Sequence, residues 1–474
     1  MIAQFDRLFD QARPAFGQER TFARARTLAM SALVGLGRRT ISGMLCASAQ
    51  QFGDWSAAYR LFEQERFDRE ALFAPALREV LECLEPGQPL VAMMDDTLIH
   101  KRGRKVYGTG WRRDPLGPPF AANFVWGQRF LQISAAVPRC IGAPIGQARG
   151  VPLDLVHAPS VPRPRRAASV ETWEEYRRQQ QSTKISAVGA GRLAALRHRL
   201  DGEACGKDRP LIMPVDGGFT NRAVFRCAPP NTILIGRVRK DARLFSAEPP
   251  RCRRGRPRWF GAPLPTPEQV RQDDSIPWSR VEAFAAGKLH SFQVKTVAPV
   301  RWSGTGRRDI RLVVIAPLAY RPRKGARLLY RDPAYLICTD PQLPLSQLLQ
   351  AYLWRWEIEL NFRDEKTLLG VGEAQVRTRA AVETVPALIV AAYAFLLLAG
   401  AASPHSSALP LPKWRNPRTQ RRDSTANMIG VFRSQLWGKA MGLNLSHFVP
   451  PHQSTMNAIL FQNTLPSAVC YATK

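Results

Sequence analysis

"YLWRWEIELNFRDEK", from Tyr352 to Lys366, sets charged side chains among aromatic ones in a way a plain core helix does not. At about 100° per residue, a helix through it brings Tyr352, Arg355, Glu359, Arg363 and Lys366 within roughly 80° of one another. Leu353, Trp356 and Leu360 flank this stripe on one side, and Ile358, Phe362 and Leu369 on the other. One carboxylate, Glu359, thus sits in a row of cationic groups walled by apolar ones. Taken alone, the row reads as ion pairs at helical spacing, Glu359 with Arg355 or Arg363.

Two further carboxylate positions end apolar runs elsewhere. "PLVAMMDDT" (89–97) reads as a buried strand ending at Asp95 and Asp96, and "RPLIMPVDGG" (209–218) as a second one ending at Asp216 before a Gly-Gly turn. Such aspartates are ordinary turn formers when taken singly. A carboxylate at the end of a buried strand is nevertheless hard to accommodate unless something cationic compensates it. Three carboxylates gathered from two strand ends and a helix make an oxygen-rich site suited to Mg²⁺ or Mn²⁺. Two such ions about 4 Å apart can activate a water and stabilise a leaving oxygen in an in-line displacement at phosphorus.

The charge of the chain points the same way. Its 474 residues carry 68 Lys+Arg against 38 Asp+Glu, a formal net charge of +30. Self-repulsion of that size costs stability unless a polyanion compensates it, which makes nucleic acid the expected partner. The hydrophobic fraction of 45% is that of a globular chain. The eight cysteines form no CxxC pair, against the common zinc spacings and a disulfide framework, so a reducing cytoplasm is expected. The start, "MIAQFDRLFDQARP", has no apolar signal region. "VPALIVAAYAFLLLAG" (385–400) is the one long apolar run, and about 20 residues are needed to span a bilayer. It reads as a buried helix, and the protein as soluble, with no membrane partner.

Along the chain, residues 1–85 look helical and are expected to form a DNA-binding domain. "FDREALFAPALREVLECL" opens with Asp68 as N-cap and places Phe73, Leu77, Val80, Leu81 and Leu84 on one face. "GLGRRTIS" (35–42) is either the turn of a helix-turn-helix or an ordinary helical connection. From residue 86 the texture changes to short apolar runs alternating with helical stretches: "RFLQISAAV", "VPLDLVH", a helix near 183–200, then "NTILIGRVRK". This pattern predicts an α/β core with a first part over 86–245. Residues 246–335, rich in Pro, Gly and Arg, read as a basic β-rich insertion. The core resumes over 336–400 with "AYLICTD" and the helix of the opening stretch. Residues 401–474 read as a linker and a C-terminal tail that is a candidate for dimerisation.

The spacing Tyr352-x2-Arg355-x3-Glu359-x6-Lys366 resembles the YREK signature of bacterial insertion-sequence transposases of the DDE type. "RWEIELNFR" resembles the RW-x-IE-x-x-F context of that family, "MMDDTLIHKRG" its first-aspartate motif and "VDGGFTN" its second, in the family's order over about residues 20–400. The resemblance implies an RNase H-like core, with a β-rich insertion before the last acid, in which Asp95, Asp216 and Glu359 hold metal ions. Asp96 is the rival to Asp95: the Asp-x-Thr pattern favours Asp95, while the run before them is apolar at every position and cannot choose. In the family the Tyr, Arg and Lys of the signature contact phosphates near the cleaved end; here these are Tyr352, Arg355 and Lys366. Arg forks onto phosphate and Lys serves as a point charge. Arg363 lies outside the signature and is expected to be solvated or salt-bridged.

Three weaker features complete the reading. "RRGRPR" (253–258), with Arg254 and Arg256, is either an AT-hook core laid in a narrow A·T minor groove or a basic loop holding DNA non-specifically. "HKRGRK" (100–105), with Lys101, is expected to help hold phosphates, or to be a solvated basic turn. Trp259, Trp278 and Trp302 fall in the insertion, where related transposases can stack an aromatic on a flipped base; a structural role is the competing reading for each. The resemblance implies a cut-and-paste transposase acting on terminal inverted repeats and target DNA, as a homodimer that pairs two ends on the bacterial nucleoid. A non-catalytic or domesticated DNA-binding protein and an RNase H-like nuclease without strand transfer are the alternatives.

Overall fold

The computed structural model describes the chain except residues 115–116, 119, 122, 141, 248–258, 324, 404–408, 410–421, 443–464 and 473–474. Its first part is helical: α1 (Ile2–Gln11), α2 (Glu19–Val34), α3 (Ile41–Ala47), α4 (Ser56–Glu63) and α5 (Arg69–Glu82). Asp68 caps α5, its carboxylate accepting from the N–H groups of Glu70 and Ala71.

The strands then begin with β1 (Leu90–His100), β2 (Gly110–Arg113), β3 (Phe124–Pro138) and β4 (Ala148–Ala158). Helices α6 (Val170–Ser182) and α7 (Ile185–Gly202) lead to β5 (Leu211–Val215), α8 (Arg222–Arg226) and β6 (Thr232–Arg237). β3 runs antiparallel to β1 and to β4, whereas β1, β5 and β6 are parallel neighbours. The resulting order, β4-β3-β1-β5-β6, puts the C-terminal ends of β5 and β6 beside the second half of β1.

The sheet does not stop there. β7 (Leu244–Ser246), β8 (Pro263–Leu264), α9 (Pro267–Gln272), β9 (Ser279–Ala285), β10 (Lys288–Trp302) and β11 (Asp309–Ile315) follow, then the small hairpin β12 (Ala319–Tyr320) and β13 (Leu329–Tyr330). β14 (Ala334–Cys338) pairs antiparallel with β6 on one side and with β11 on the other. The segment expected as an insertion thus extends the same sheet through β14, β11 and β10.

Then come the helices α10 (Leu345–Trp354), α11 (Glu357–Thr367), α12 (Arg379–Ala401) and α13 (Thr425–Trp437). α12 is the apolar stretch singled out in the sequence. Every residue from Ala381 to Ala399 is buried, against α1, α2, α4, α5 and β4. Its apolarity is therefore accounted for by protein packing. Phe395 meets Phe5 and Phe9 with ring centroids 6.2 and 6.0 Å apart, and Thr384 Oγ1 donates to the Phe62 carbonyl. The helices of 1–85 consequently share one core with α12 and the sheet. Residue 85 divides helices from strands without dividing two cores, because α12, starting at Arg379, supplies the apolar surface the N-terminal helices need. The "GLGRRTIS" turn is closed by the same packing: Arg39 is buried, and its backbone N–H donates to Glu373 in the segment after α11.

The opening stretch is not one uninterrupted helix. Between α10 and α11, Arg355 N bonds to Tyr352 O and Trp356 N to Leu353 O, each at 3.3 Å, so the turn is wound to i−3 spacing. Each residue in such a turn advances about 120° instead of 100°, which shears the stripe at Arg355. Arg363 accordingly turns to Asp364, 2.9 Å away.

Candidate active site

Side-chain alternation along the strands assigns each acid to a face of the sheet. Val91 and Met93 on β1 belong to the apolar layer that contains Trp354, Ile358 and Phe362 of α10 and α11, whereas Ala92 and Met94 face the other layer. Asp95 continues the first set and Asp96 the second. On β5, Ile212 faces the α10–α11 layer and Val215 the opposite one, so Asp216 follows Ile212. Met94 stands opposite Val215 in the parallel register, which makes Asp95 and Asp216 the next pair. The two aspartates meet on the face that carries Glu359.

Each acid has its own environment. Asp95 is buried; its Oδ1 accepts the Asp96 N–H at 2.8 Å and its Oδ2 accepts Arg355 Nη1 at 3.1 Å. Burial, and then the negative charge of Asp216, push its carboxyl up to about 8; Arg355 opposes the shift and Glu359 adds to it. Asp216 starts a tight turn: Oδ1 accepts from the N–H groups of Gly218 at 2.9 Å and Phe219 at 3.2 Å. It is therefore a turn former as well as a candidate site carboxylate, and the turn fixes its rotamer. Glu359, in the first turn of α11, is partly exposed, with Oε1 3.9 Å from Arg355 Nη1. Asp96 lies across the sheet and pairs with Arg129 of β3, Nε to Oδ2 at 3.1 Å.

The donor set suits a hard divalent cation: three carboxylates from different elements, with Asp216 and Glu359 both raising the cost of ionising Asp95 and Glu359 sharing its countercharge. In the described geometry the Arg355 guanidinium stands between Asp95 and Glu359. Among the described residues no three His, Cys, Asp or Glu side chains close on a common point as they stand.

The other expected residues divide. Tyr352 is half-buried on α10, and burial pushes its hydroxyl up, opposed by the nearby charges of Arg355 and Arg237. Lys366 is exposed on the last turn of α11; burial of its stem pulls the ammonium down, opposed by Glu365, Glu359 and Asp114. Lys101 differs from the expectation. Its ammonium donates to the carbonyls of Gly372 at 2.6 Å and Ala374 at 3.4 Å, clamping the end of β1 to the segment after α11. Its strand ends against that segment, so its charge answers backbone carbonyls rather than standing free in a basic turn. Arg254 and Arg256 lie outside the described residues. Trp302 packs edge-on against Phe225 with centroids 5.6 Å apart, Lys295 lies over Trp278, and Arg307 lies over Trp259.

With this geometry in place, the family described as DDE superfamily endonuclease matches residues 11–309. The chain belongs to that family. The matched span of this DDE endonuclease contains Asp95 and Asp216 and ends before Glu359. Among curated proteins none matches the chain closely enough to be called a relative.

Two residues on the same face of the sheet as the candidate acids escaped the sequence reading. Arg237 ends β6 as Asp216 follows β5, and the paired register Val215–Gly236 was the signal that a strand-by-strand comparison of the two run ends would have found. Glu365 is fully enclosed beneath α11, where Gln132 Nε2 donates to it at 2.9 Å and burial pushes its carboxyl up to about 8. Nothing in the sequence separated it from Asp364 and Lys366, the charges on either side.

Proposed function

We propose that this endonuclease is a DNA transposase of the YREK type, on an RNase H-like core, that cuts the ends of a bacterial insertion sequence and joins them to target DNA. The observation that carries the reading is the meeting of Asp95 and Asp216 on parallel strands, on the face where α11 presents Glu359. The strand order β4-β3-β1-β5-β6, three antiparallel strands followed by two parallel ones, is the one an RNase H-like core calls for and supports it further.

Asp95, Asp216 and Glu359 would hold Mg²⁺ or Mn²⁺, two ions by the chemistry of the family. Bound there, the metal would supply a water of lowered pKa and a countercharge for the leaving oxygen. The chain's own groups do the rest. The Gly218 and Phe219 N–H groups hold Asp216 in one rotamer, and the apolar flanks of α11 keep Glu359 fixed against the sheet. Arg355, Tyr352 and Lys366 lie along the face that a phosphate backbone would approach, Arg355 leaving Asp95 to fork onto a phosphate.

In the first reaction the oxygen of water bonds to phosphorus and the P–O3′ bond breaks, leaving a 3′-OH on the element's end and a 5′-phosphate on the flank. In the second, that 3′-OH attacks a target phosphodiester and displaces a target 3′-OH. Neither step forms a bond to the protein. Pairing of two ends calls for a homodimer on DNA.

The test takes as substrate the short inverted repeats that this reading expects in the DNA flanking the gene. The full chain should nick these ends with Mg²⁺ or Mn²⁺ and join the released 3′-OH to a plasmid. Asp216→Ala and Glu359→Ala should abolish both steps while keeping most of the DNA affinity. Strong cleavage by either variant sinks the assignment, and nicking without joining leaves a nuclease instead.

A further inference from the structure

We infer that Arg237 is a positioning residue of this site that binds a backbone phosphate next to the one being cut, an inference resting on the DNA-cutting reading above. β6 lies parallel to β5 with Val215 opposite Gly236, so Asp216 and Arg237 are the next pair in register. Ile235 belongs to the same apolar layer as Ile212, Val91 and Met93. Alternation therefore sets Arg237 on the face shared by Asp216, Asp95 and Glu359. Its charge reaches the Tyr352 hydroxyl, on the helix that covers this face.

Arg237 is exposed, and its side chain makes no hydrogen bond or ion pair among the described residues. Its arginine neighbours Arg355, Arg271 and Arg239 are occupied. Arg355 is taken by Asp95, Arg271 by Glu268 with Nη2 2.6 Å from Oε1, and Arg239 by Asp241 at 3.0 Å. An unpartnered guanidinium beside a carboxylate site is the group a phosphodiester would satisfy, through two parallel N–H···O bonds.

Space for the strand is present. Arg237 lines a groove of about 1100 Å³ that starts at Gly217 and Thr220, next to Asp216, and runs toward Trp302 and Pro317. With the paired charges cancelled, Arg237 and Lys240 face Asp332 as its remaining ionic groups. The groove is thus weakly cationic overall, with its one unpaired arginine at the catalytic end. This is the pattern of a single phosphate contact rather than a continuous basic track.

The experiment measures binding without cleavage. Full-length protein in EDTA binds a fluorescent duplex carrying the flanking inverted repeat, titrated with KCl. Arg237→Ala should lose about tenfold in affinity and flatten the log–log salt slope by about one phosphate contact. Arg237→Lys should keep the slope. Single methylphosphonates are then walked along both strands near the cleaved bond. One position should weaken wild-type binding and leave Arg237→Ala unaffected, a coupling no merely structural role produces.

An unchanged slope, or a methylphosphonate profile identical in the two proteins, overturns the inference. So does an equal loss in Arg178→Ala, an exposed arginine of α6 paired with Glu175. Failure of wild-type protein to cut DNA would instead sink the proposed function, and the binding data would still decide whether Arg237 holds a phosphate.

Discussion

Arg355 closes on Asp95 across 260 positions of sequence, Nη1 lying 3.1 Å from Oδ2. The same nitrogen is 3.9 Å from Glu359 Oε1, so one guanidinium serves two acids. In the DNA-free protein Arg355 thus acts as an internal countercharge in the place where a divalent cation would be attracted. Arg355→Ala should raise the Mn²⁺ affinity of DNA-free protein several-fold, read by isothermal titration calorimetry. The same variant should bind end DNA more weakly, with a salt slope flatter by about one contact. An unchanged Mn²⁺ affinity would show that the guanidinium does not compete for the acids.

The choice between the two adjacent aspartates turns on the pleat. Asp95 faces α11, and Asp96 faces the other side, paired with Arg129. Asp95→Asn should reduce cleavage of the end DNA to background while leaving the melting temperature close to wild type. Asp96→Asn should retain cleavage and instead lower the melting temperature, because it strands Arg129 beside β3. The reverse pattern in a paired cleavage and melting assay would move the site to Asp96.

Much of this arrangement was legible before the fold. The apolar runs at 89–97 and 209–218 lie in β1 and β5, but β1 continues past the aspartates to His100, so Asp95 sits mid-strand and meets Asp216 because the two parallel strands are in register. The charged stripe on 352–366 was legible in type but not in phase, since hydrophobic periodicity does not report the i−3 turn at Arg355. The face of Asp95 could not be read from an uninterrupted apolar run: both faces of β1 are buried, one by α10 and α11 and one by the layer that includes α12. The partnership of the N-terminal helices with α12 was hidden for another reason. An apolar helix announces that it will be covered, and nothing in its own sequence says by what.

Lys101 is tied to the fold rather than to the solvent. Its ammonium donates to the Gly372 and Ala374 carbonyls, and burial pulls its pKa down to about 8. Lys101→Ala leaves those carbonyls unanswered and should destabilise the protein by about 1–3 kcal/mol. The salt slope of DNA binding should stay at its wild-type value. A chemical denaturation curve beside a salt titration separates the two effects, and a flatter slope with unchanged stability would return Lys101 to a phosphate.

Lys366, by contrast, has its ammonium near Glu359 and no ion pair at contact distance among the described residues. Lys366→Ala should flatten the salt slope by about one contact with little change in stability, the mirror image of Lys101→Ala. Matching slopes for wild type and Lys366→Ala would remove the lysine from the DNA-binding face.

Glu365 links the stability of α11 to pH. Its folded carboxyl is raised to about 8, well above an ordinary glutamate, by complete burial, with the Gln132 amide opposing. A raised folded pKa means that the native state keeps a proton the unfolded chain has released. The stabilisation is thus full below the ordinary glutamate range and is lost as pH rises through about 8. Glu365→Gln keeps the shape and the neutral state at every pH. Its unfolding free energy should match wild type near pH 5 and exceed it at pH 9, in urea titrations at fixed ionic strength. Parallel wild-type and variant curves across that range would mean that Glu365 is ionised in the folded protein, with a countercharge reaching it beneath α11.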